Sequence, residues 1–364
     1  MKKIGIVPPP GNRKVPFLMA TPNEPILPPN FGGHHVVILG AGASRAVCPN
    51  GDKNGHILPL MADIVDVVGL AGLFEEYGVM CGNADFETLY SRLVTGGKQP
   101  ELVARLERAI SDYFVGLELP DHPTLYDHLV LSLRPKDLIA SFNWDPLLWQ
   151  ALCRNGGRLG PEILPRVLYL HGNVAIGYCR RHKPITLSHP GERCKRCRSP
   201  LEPSRLLYPV TQKDYNQDPC IAASWREFVQ YLKGALILTI FGYRAPDTDV
   251  EAVSRMKQAR GDTNSDDLVL DQVEIIDIRD DAELHRNWKP FICRDHYDMR
   301  HDFNQSLAAL YPRRSCEAFW EAIMDAKIVE HHPMPIAVEW HELYAWLVPL
   351  LDQERAYKES RRKG

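Results

Sequence analysis

The sequence predicts an α/β protein built on a doubly wound parallel sheet, and three observations predict it. Short apolar, β-branched runs alternate along the chain with stretches of helical periodicity. The strongest run, "ALILTIFG", is apolar on both faces, as central strands of parallel sheets are. The first run, "HHVVILG", feeds directly into a glycine-containing turn.

Residues 1–30 are dense in proline ("VPPPG", "ILPPN") without periodicity, and read as an extended N-terminal arm. The body, 31–290, begins at "HHVVILG". "LPLMADIVDVVGLAGLF" and "DFETLYSRLV" space apolar residues three and four apart and read as helices. "ELVARLERAISDYFVGL" is the clearest helix, with Leu102, Leu106, Ile110 and Phe114 on one face. Together these make a helical insertion over 60–132. "DLIASFN", "RVLYLHG", "ALILTIFG" and "QVEIIDIRD" read as strands, with "ASWREFVQYLKGA" and "DVEAVSRMKQA" as helices between them. From 291 to 364 the pattern is mostly helical ("CEAFWEAIMDA", "WHELYAWLVPLL") and predicts a C-terminal helical extension. No internal repeat is present.

Of 364 residues, 45% are hydrophobic and 24% charged, the balance of a soluble globular chain. A net charge of -3 argues against a protein that coats nucleic acid generally, and leaves room for local patches. No apolar run approaches the roughly 20 residues that span a bilayer. The start lacks the apolar core of a secretory signal, so reduced thiols and a cytoplasmic location are expected. Cys48, Cys81, Cys153, Cys220, Cys293 and Cys316 read as buried small hydrophobes.

Four stretches carry candidate chemistry. In "VVILGAGASRAVCPNG", Gly40 and Gly42 are followed by Ala43, Ser44 and Arg45, where a hydride-transfer loop has a third glycine. Two glycines let the backbone approach a diphosphate at a helix N-terminus, or simply make a tight turn. Ser44 adds a hydroxyl that can cap the helix. Asp63 has the offset of the acidic residue such loops require, but falls in a helical pattern. In "SFNWDP", Asn143 and Asp145 put an amide and a carboxylate at a strand's carboxyl end, or form an Asx turn in which Pro146 opens a helix. "LYLHGN" places His171 at another strand end. Finally, Cys179-x2-His182, eleven residues, then Cys194-x2-Cys197 is zinc-knuckle spacing, closed and therefore structural, with His189 as the competing fourth ligand. Arg180, Arg181, Lys183, Arg193, Lys195, Arg196 and Arg198 crowd this module, either as a solvated surface or as a docking patch for nucleic acid or an acidic partner.

The order of these features resembles the sirtuin family over roughly residues 31–285. The resemblance implies a Rossmann-like NAD-binding domain with a small zinc-bearing module, here 173–205. Gly40, Ala41, Gly42 and Ser44 match the family's pyrophosphate loop, and Arg45 keeps an echo of the stretch after it. Asn143 and Asp145 match an Asn-x-Asp motif whose Asn holds a water and the ribose and whose Asp holds the nicotinamide amide. His171 matches the catalytic histidine, Gly242 the glycine after the fourth-strand motif, and Asp277 an adenosine-ribose contact. Two departures stand out. "RAVCPNGDKNGHILPLM" replaces the G-I-P-D-F-R stretch of protein deacylases, and "LLYPVTQKDY" replaces their Phe-Gly-Glu-type strip lining the acyl-lysine channel. The helical insertion resembles the bacterial defence branch, whose members hydrolyse NAD. The resemblance thus implies an NAD glycohydrolase that depletes NAD in antiphage defence. Because unchecked NAD consumption is toxic and no sensor domain is evident, gating by assembly is expected, in a homo-oligomer with the arm and helical tail as subunit contacts. The resemblance also implies a partner such as a HerA-type ATPase or a short Argonaute. The alternatives are an NAD-dependent deacylase and a non-catalytic module that binds NAD or ADP-ribose.

Overall fold

A computed structural model describes residues 33–80, 84–182, 187–188, 190–210, 215–244, 249–260, 272–289, 297–323 and 325–363, so the proline-rich arm lies outside the described residues. In chain order, β1 (His34–Leu39) and α1 (Ala41–Val47) precede α2 (Ile64–Val68), α3 (Ala71–Glu76), α4 (Phe86–Gly96), α5 (Pro100–Val115) and α6 (Leu125–Ser132). Then come β2 (Leu138–Ser141), α7 (Leu147–Leu159) and β3 (Arg166–Tyr169). A small module holds β4 (Gly177–Tyr178), β5 (Leu187–Ser188) and β6 (Glu202–Pro203). The body closes with α8 (Pro219–Lys233), β7 (Ala235–Phe241), α9 (Val250–Arg260), β8 (Gln272–Ile276), α10 (Asp281–Trp288) and β9 (Tyr297–Arg300). The tail holds α11 (Leu307–Leu310), α12 (Ser315–Ile323) and α13 (Trp340–Lys363).

The main sheet runs β3-β2-β1-β7-β8-β9, with every neighbouring pair parallel. Numbered within the sheet, this is the 3-2-1-4-5-6 order of the doubly wound dinucleotide fold. Strand alternation sends Val37 and Leu39 into a core shared with α3 to α7 and α13, and Val36 and Ile38 into a second core under α8, α9 and α10. All of β7 is buried, as its unbroken apolar run requires. The three short strands β5-β4-β6 pair antiparallel in a separate small sheet.

The helical insertion forms largely as its periodicity dictates. Pro100 opens α5, and its buried residues are Leu102, Leu106, Ile110 and Phe114. One expected helix is two. Gly69 adopts φ 77°, a left-handed cap that stops α2 and lets the chain restart as α3. Asp63 therefore sits ahead of α2 rather than inside a helix.

Two further expectations are corrected. The pattern from 291 onward hides β9, a four-residue strand whose residues are all half-buried, so it gives no apolar alternation to read. Cys153 is exposed, because it lies on the outer side of α7; Cys48, Cys220 and Cys316 are buried, and Cys81 and Cys293 fall outside the described residues. The tail is tied into the body. Arg313, almost wholly buried, pairs with Glu354 of α13 at 2.6 Å and donates to the carbonyls of Leu131, Leu133 and Ile163. Among the described residues no helix is long and apolar enough to cross a membrane.

Candidate functional site

The order in which strands are added reverses between β1 and β7, the switch point beside which open α/β sheets form their ligand crevice. Those loops touch. Gly40 N–H donates to the Phe241 carbonyl and Gly42 N–H to the Gly242 carbonyl, both at 3.0 Å. A Cβ on Gly40 would lie 2.5 Å from the Gly242 carbonyl oxygen, and one on Gly242, which has φ 62°, would lie 2.1 Å from Ala43 N. Glycine is therefore required here by one backbone crossing another. Gly40 and Gly42 face the Gly242–Tyr243 backbone, a partner that sequence spacing alone does not reveal.

At the end of β2, "SFNWDP" forms the expected Asx turn, and its Asn143 and Asp145 side chains join one buried network. Asp145 Oδ1 accepts the Leu147 N–H at 3.1 Å, the Asx turn that starts α7 after Pro146. Its Oδ2 accepts the Ser44 hydroxyl at 2.7 Å. Ser44 lies inside α1, whose cap is Gly40, so its hydroxyl does not cap the helix but points into this network. Asn143 Nδ2 donates to the Gly40 carbonyl at 2.8 Å and to Ser44 Oγ at 2.9 Å. A carbonyl only accepts, which fixes the amide's orientation and directs Oδ1 away from this network. Tyr126, from α6, closes the cluster with its hydroxyl 2.7 Å from Ser44 Oγ. Asn173 braces the loop from beneath, donating to the Asp145 carbonyl at 2.6 Å. Asn143 and Asp145 are both almost fully buried. Burial raises the Asp145 carboxyl above its usual range, with the Ser44 hydroxyl and Leu147 N–H acting against that rise.

His171 stands at the end of β3, buried, with Nε2 3.0 Å from the Tyr215 hydroxyl and 3.8 Å from Asp249 Oδ1. Tyr243 donates to the other oxygen of Asp249 at 2.8 Å. Phe142, next to Asn143, stacks on Tyr243 with centroids 4.2 Å apart and meets the His171 ring edge-on at 4.7 Å. An aromatic wall thus joins the Asn143 loop to His171. Burial pushes the Tyr215 and Tyr243 phenols well above their ordinary range, so both remain hydroxyls.

Tyr126, Asn173, Tyr215, Tyr243 and Asp249 are absent from the sequence-derived candidates. Only Tyr126 leaves a local signal, since it lies within the Thr124–Asp127 capping box that starts α6. Two expected contacts have protein partners instead of facing the crevice alone. Arg45 pairs with Asp63 at 2.5 Å and donates to the Leu58 carbonyl. The Asp277 carboxylate is clamped by Arg279 at 2.7 and 3.0 Å. Ala41 is the first residue of α1.

The metal-type ligands converge. The donor atoms of Cys179, His182, Cys194 and Cys197 all lie within 4.8 Å of one another. Cys179 Sγ is 3.5 Å from Cys197 Sγ and 3.6 Å from His182 Nδ1, and Cys194 Sγ is 3.5 Å from the same nitrogen. Tetrahedral Zn2+ with Zn–S of about 2.3 Å and Zn–N of about 2.0–2.1 Å sets such edges at roughly 3.5–3.8 Å. The donor set fits zinc. The N–H of Cys197 leads the groups that lower the Cys194 thiol to about 5, favouring the thiolate a metal binds. His189 lies outside the described residues.

No family model and no curated protein matches the chain. Solved structures similar to it are Sir2 proteins. One, described as giving the structural basis for the mechanism and regulation of Sir2 enzymes, is 17% identical, covering 73% of this chain and 86% of that one at TM-score 0.36. A second, on sirtuin substrate affinity, is 16% identical, covering 78% and 93% at TM-score 0.38. A third, a Sir2 homologue mutant in complex with ADP-ribose, is 15% identical, covering 81% and 95% at TM-score 0.36.

Proposed function

We propose that this protein hydrolyses NAD at the nicotinamide–ribose bond, releasing nicotinamide and ADP-ribose. The observation that carries the reading is the convergence of Ser44, Asn143 and Asp145 at the ends of β1 and β2, beside His171 at the end of β3. All border the switch-point crevice of a sheet with the dinucleotide strand order. In this reading the loop Gly40–Ser44 takes the diphosphate and Asp145 the nicotinamide carboxamide. Asn143, with its Nδ2 held by Gly40 and Ser44, presents Oδ1 to a water and the ribose hydroxyls. As the C1′–N bond breaks, its electron pair leaves with nicotinamide, which departs neutral, and positive charge builds on the ribose. The water oxygen then bonds C1′, and the proton it sheds passes to His171 through a ribose hydroxyl.

The segment after the metal module supports water rather than an acylated peptide as the acceptor. Leu206 and Leu207 are buried, and Tyr208 packs on Trp144 and Tyr90 at 4.9 and 5.2 Å, so these side chains fill core. Depletion of NAD in antiphage defence and a HerA-type ATPase or short Argonaute partner complete the proposal on the sequence resemblance, and a homo-oligomeric assembly on the need to gate a toxic activity.

The test is product analysis by chromatography after incubation with NAD alone, and with NAD plus an acylated peptide. Nicotinamide and ADP-ribose without peptide are expected. Nicotinamide released only with peptide, alongside an O-acyl-ADP-ribose, points to deacylation and overturns the reading. Bound but intact NAD in the purified chain and in its assembled complexes identifies a binding module instead.

A further inference from the structure

We infer that the two chelate turns of the metal module form a clamp for the phosphate backbone of nucleic acid. The turns share one design. Cys179-Arg180-Arg181-His182 and Cys194-Lys195-Arg196-Cys197 each hold two basic residues between two ligands. Ligand atoms gathered within 4.8 Å of one another fix both turns against one centre. The intervening side chains are left to face outward, and all four are exposed. Arg180 reaches Glu202 at 3.3 Å, while Arg181, Lys195 and Arg196 have no carboxylate partner among the described residues. Four cations are therefore held on a rigid frame, in a chain whose net charge is -3.

Two features favour nucleic acid over an acidic protein. Three of the four cations are arginine, whose planar fork matches phosphate oxygens in pairs. Protein interfaces are anchored by apolar or aromatic residues at their centre. Here the module's hydrophobic cluster, Cys179, Cys194 and Leu201, is buried, and neither turn carries an aromatic or aliphatic side chain between its ligands. With no aromatic ring between the ligands to stack a base and the cations matched to phosphate oxygens, recognition is chiefly of the backbone.

The test is fluorescence anisotropy of the zinc-loaded full-length chain with a labelled 20-nucleotide DNA, single-stranded and duplex, from 50 to 200 mM salt. Four phosphate contacts predict a slope of log K on log salt of about -3 to -4. The double variant Lys195→Glu, Arg196→Glu, checked for one equivalent of zinc, is expected to bind at least about tenfold more weakly with a shallower slope. Equal binding by that variant, no salt-dependent binding by the parent, or tighter binding of a polyglutamate probe than of DNA overturns the inference.

Discussion

Asn143 Nδ2 donates to the Gly40 carbonyl at 2.8 Å, tying the loop after β2 to the loop after β1. The same amide hydrogen-bonds Ser44, so one side chain sets the spacing of the proposed diphosphate loop and the proposed reaction centre. Asn143→Asp replaces the donor with an acceptor facing a carbonyl. Unfolding in urea is expected to show a loss of about 1–3 kcal/mol, from two unpaired buried acceptors. An unchanged midpoint means this bond does not hold the loops.

Gly242→Ala tests the crossing of the β1 and β7 loops. The position combines φ 62° with a Cβ site 2.1 Å from Ala43 N, so strain and a backbone clash add. A loss above about 1 kcal/mol is expected in the same urea assay. Gly157→Ala, in α7 with open space at its Cβ, is the control and is expected to be neutral or stabilising by up to about 1 kcal/mol.

Stability is expected to peak in mildly acidic solution. His35, Thr239 and Glu274 form a buried hydrogen-bonded row across β1, β7 and β8. Burial lowers His35 to about 3 from an ordinary 6.5, with Lys136 and His34 adding to the effect. The unfolded chain therefore gains a proton below 6.5 that the folded chain refuses, and stability falls as pH drops from 6.5 towards 3. Burial raises Glu274 to about 7 from 4.5, against the Leu307 N–H, the Thr239 hydroxyl and Arg300. Its folded form keeps a proton the unfolded chain has lost, so this contribution fades as pH rises from 4.5 to 7. Urea midpoints at pH 5.5 and 8 carry both contributions, the fall from Glu274 and the opposing rise from His35 below pH 6.5. Glu274→Gln removes the fall and is expected to leave the variant more stable at pH 8 than at 5.5, and an equal pH dependence in parent and variant contradicts the assignment.

Arg313→Met leaves Glu354 and three carbonyls without their guanidinium. Removing one partner of a buried ion pair costs about 3–5 kcal/mol. A tail that only decorates the body predicts a far smaller loss, so calorimetry on the variant separates the two.

Metal analysis is expected to give about one zinc per chain, lost in Cys194→Ser. A folded chain with no metal removes the zinc assignment.

The strands of the sheet, apart from β9, were legible because parallel central strands are unbroken apolar runs, and the best helix because its buried face repeats without interruption. Residue types at strand ends were legible too, since Asn143, Asp145 and His171 each directly follow such a run. Their environment was not. Tyr126, Tyr215 and Asp249 reach the site from three separate helices or connections, and only the strand order brings them together. The reason for Gly40 being glycine lies some two hundred residues away at Gly242. The edge strand β9 and the burial of Arg313 are long-range outcomes of packing, with no local signature.

The central claim is that Asn143 and His171 cut NAD. The most direct measurement is the rate of nicotinamide release from NAD by the parent, Asn143→Ala and His171→Ala proteins, each in the same assembly and each shown to bind NAD. The account predicts release by the parent and at least about a hundredfold loss in both variants. Parent and variant proteins releasing nicotinamide at equal rates, or a parent that binds NAD and leaves it intact in every assembly, contradicts it.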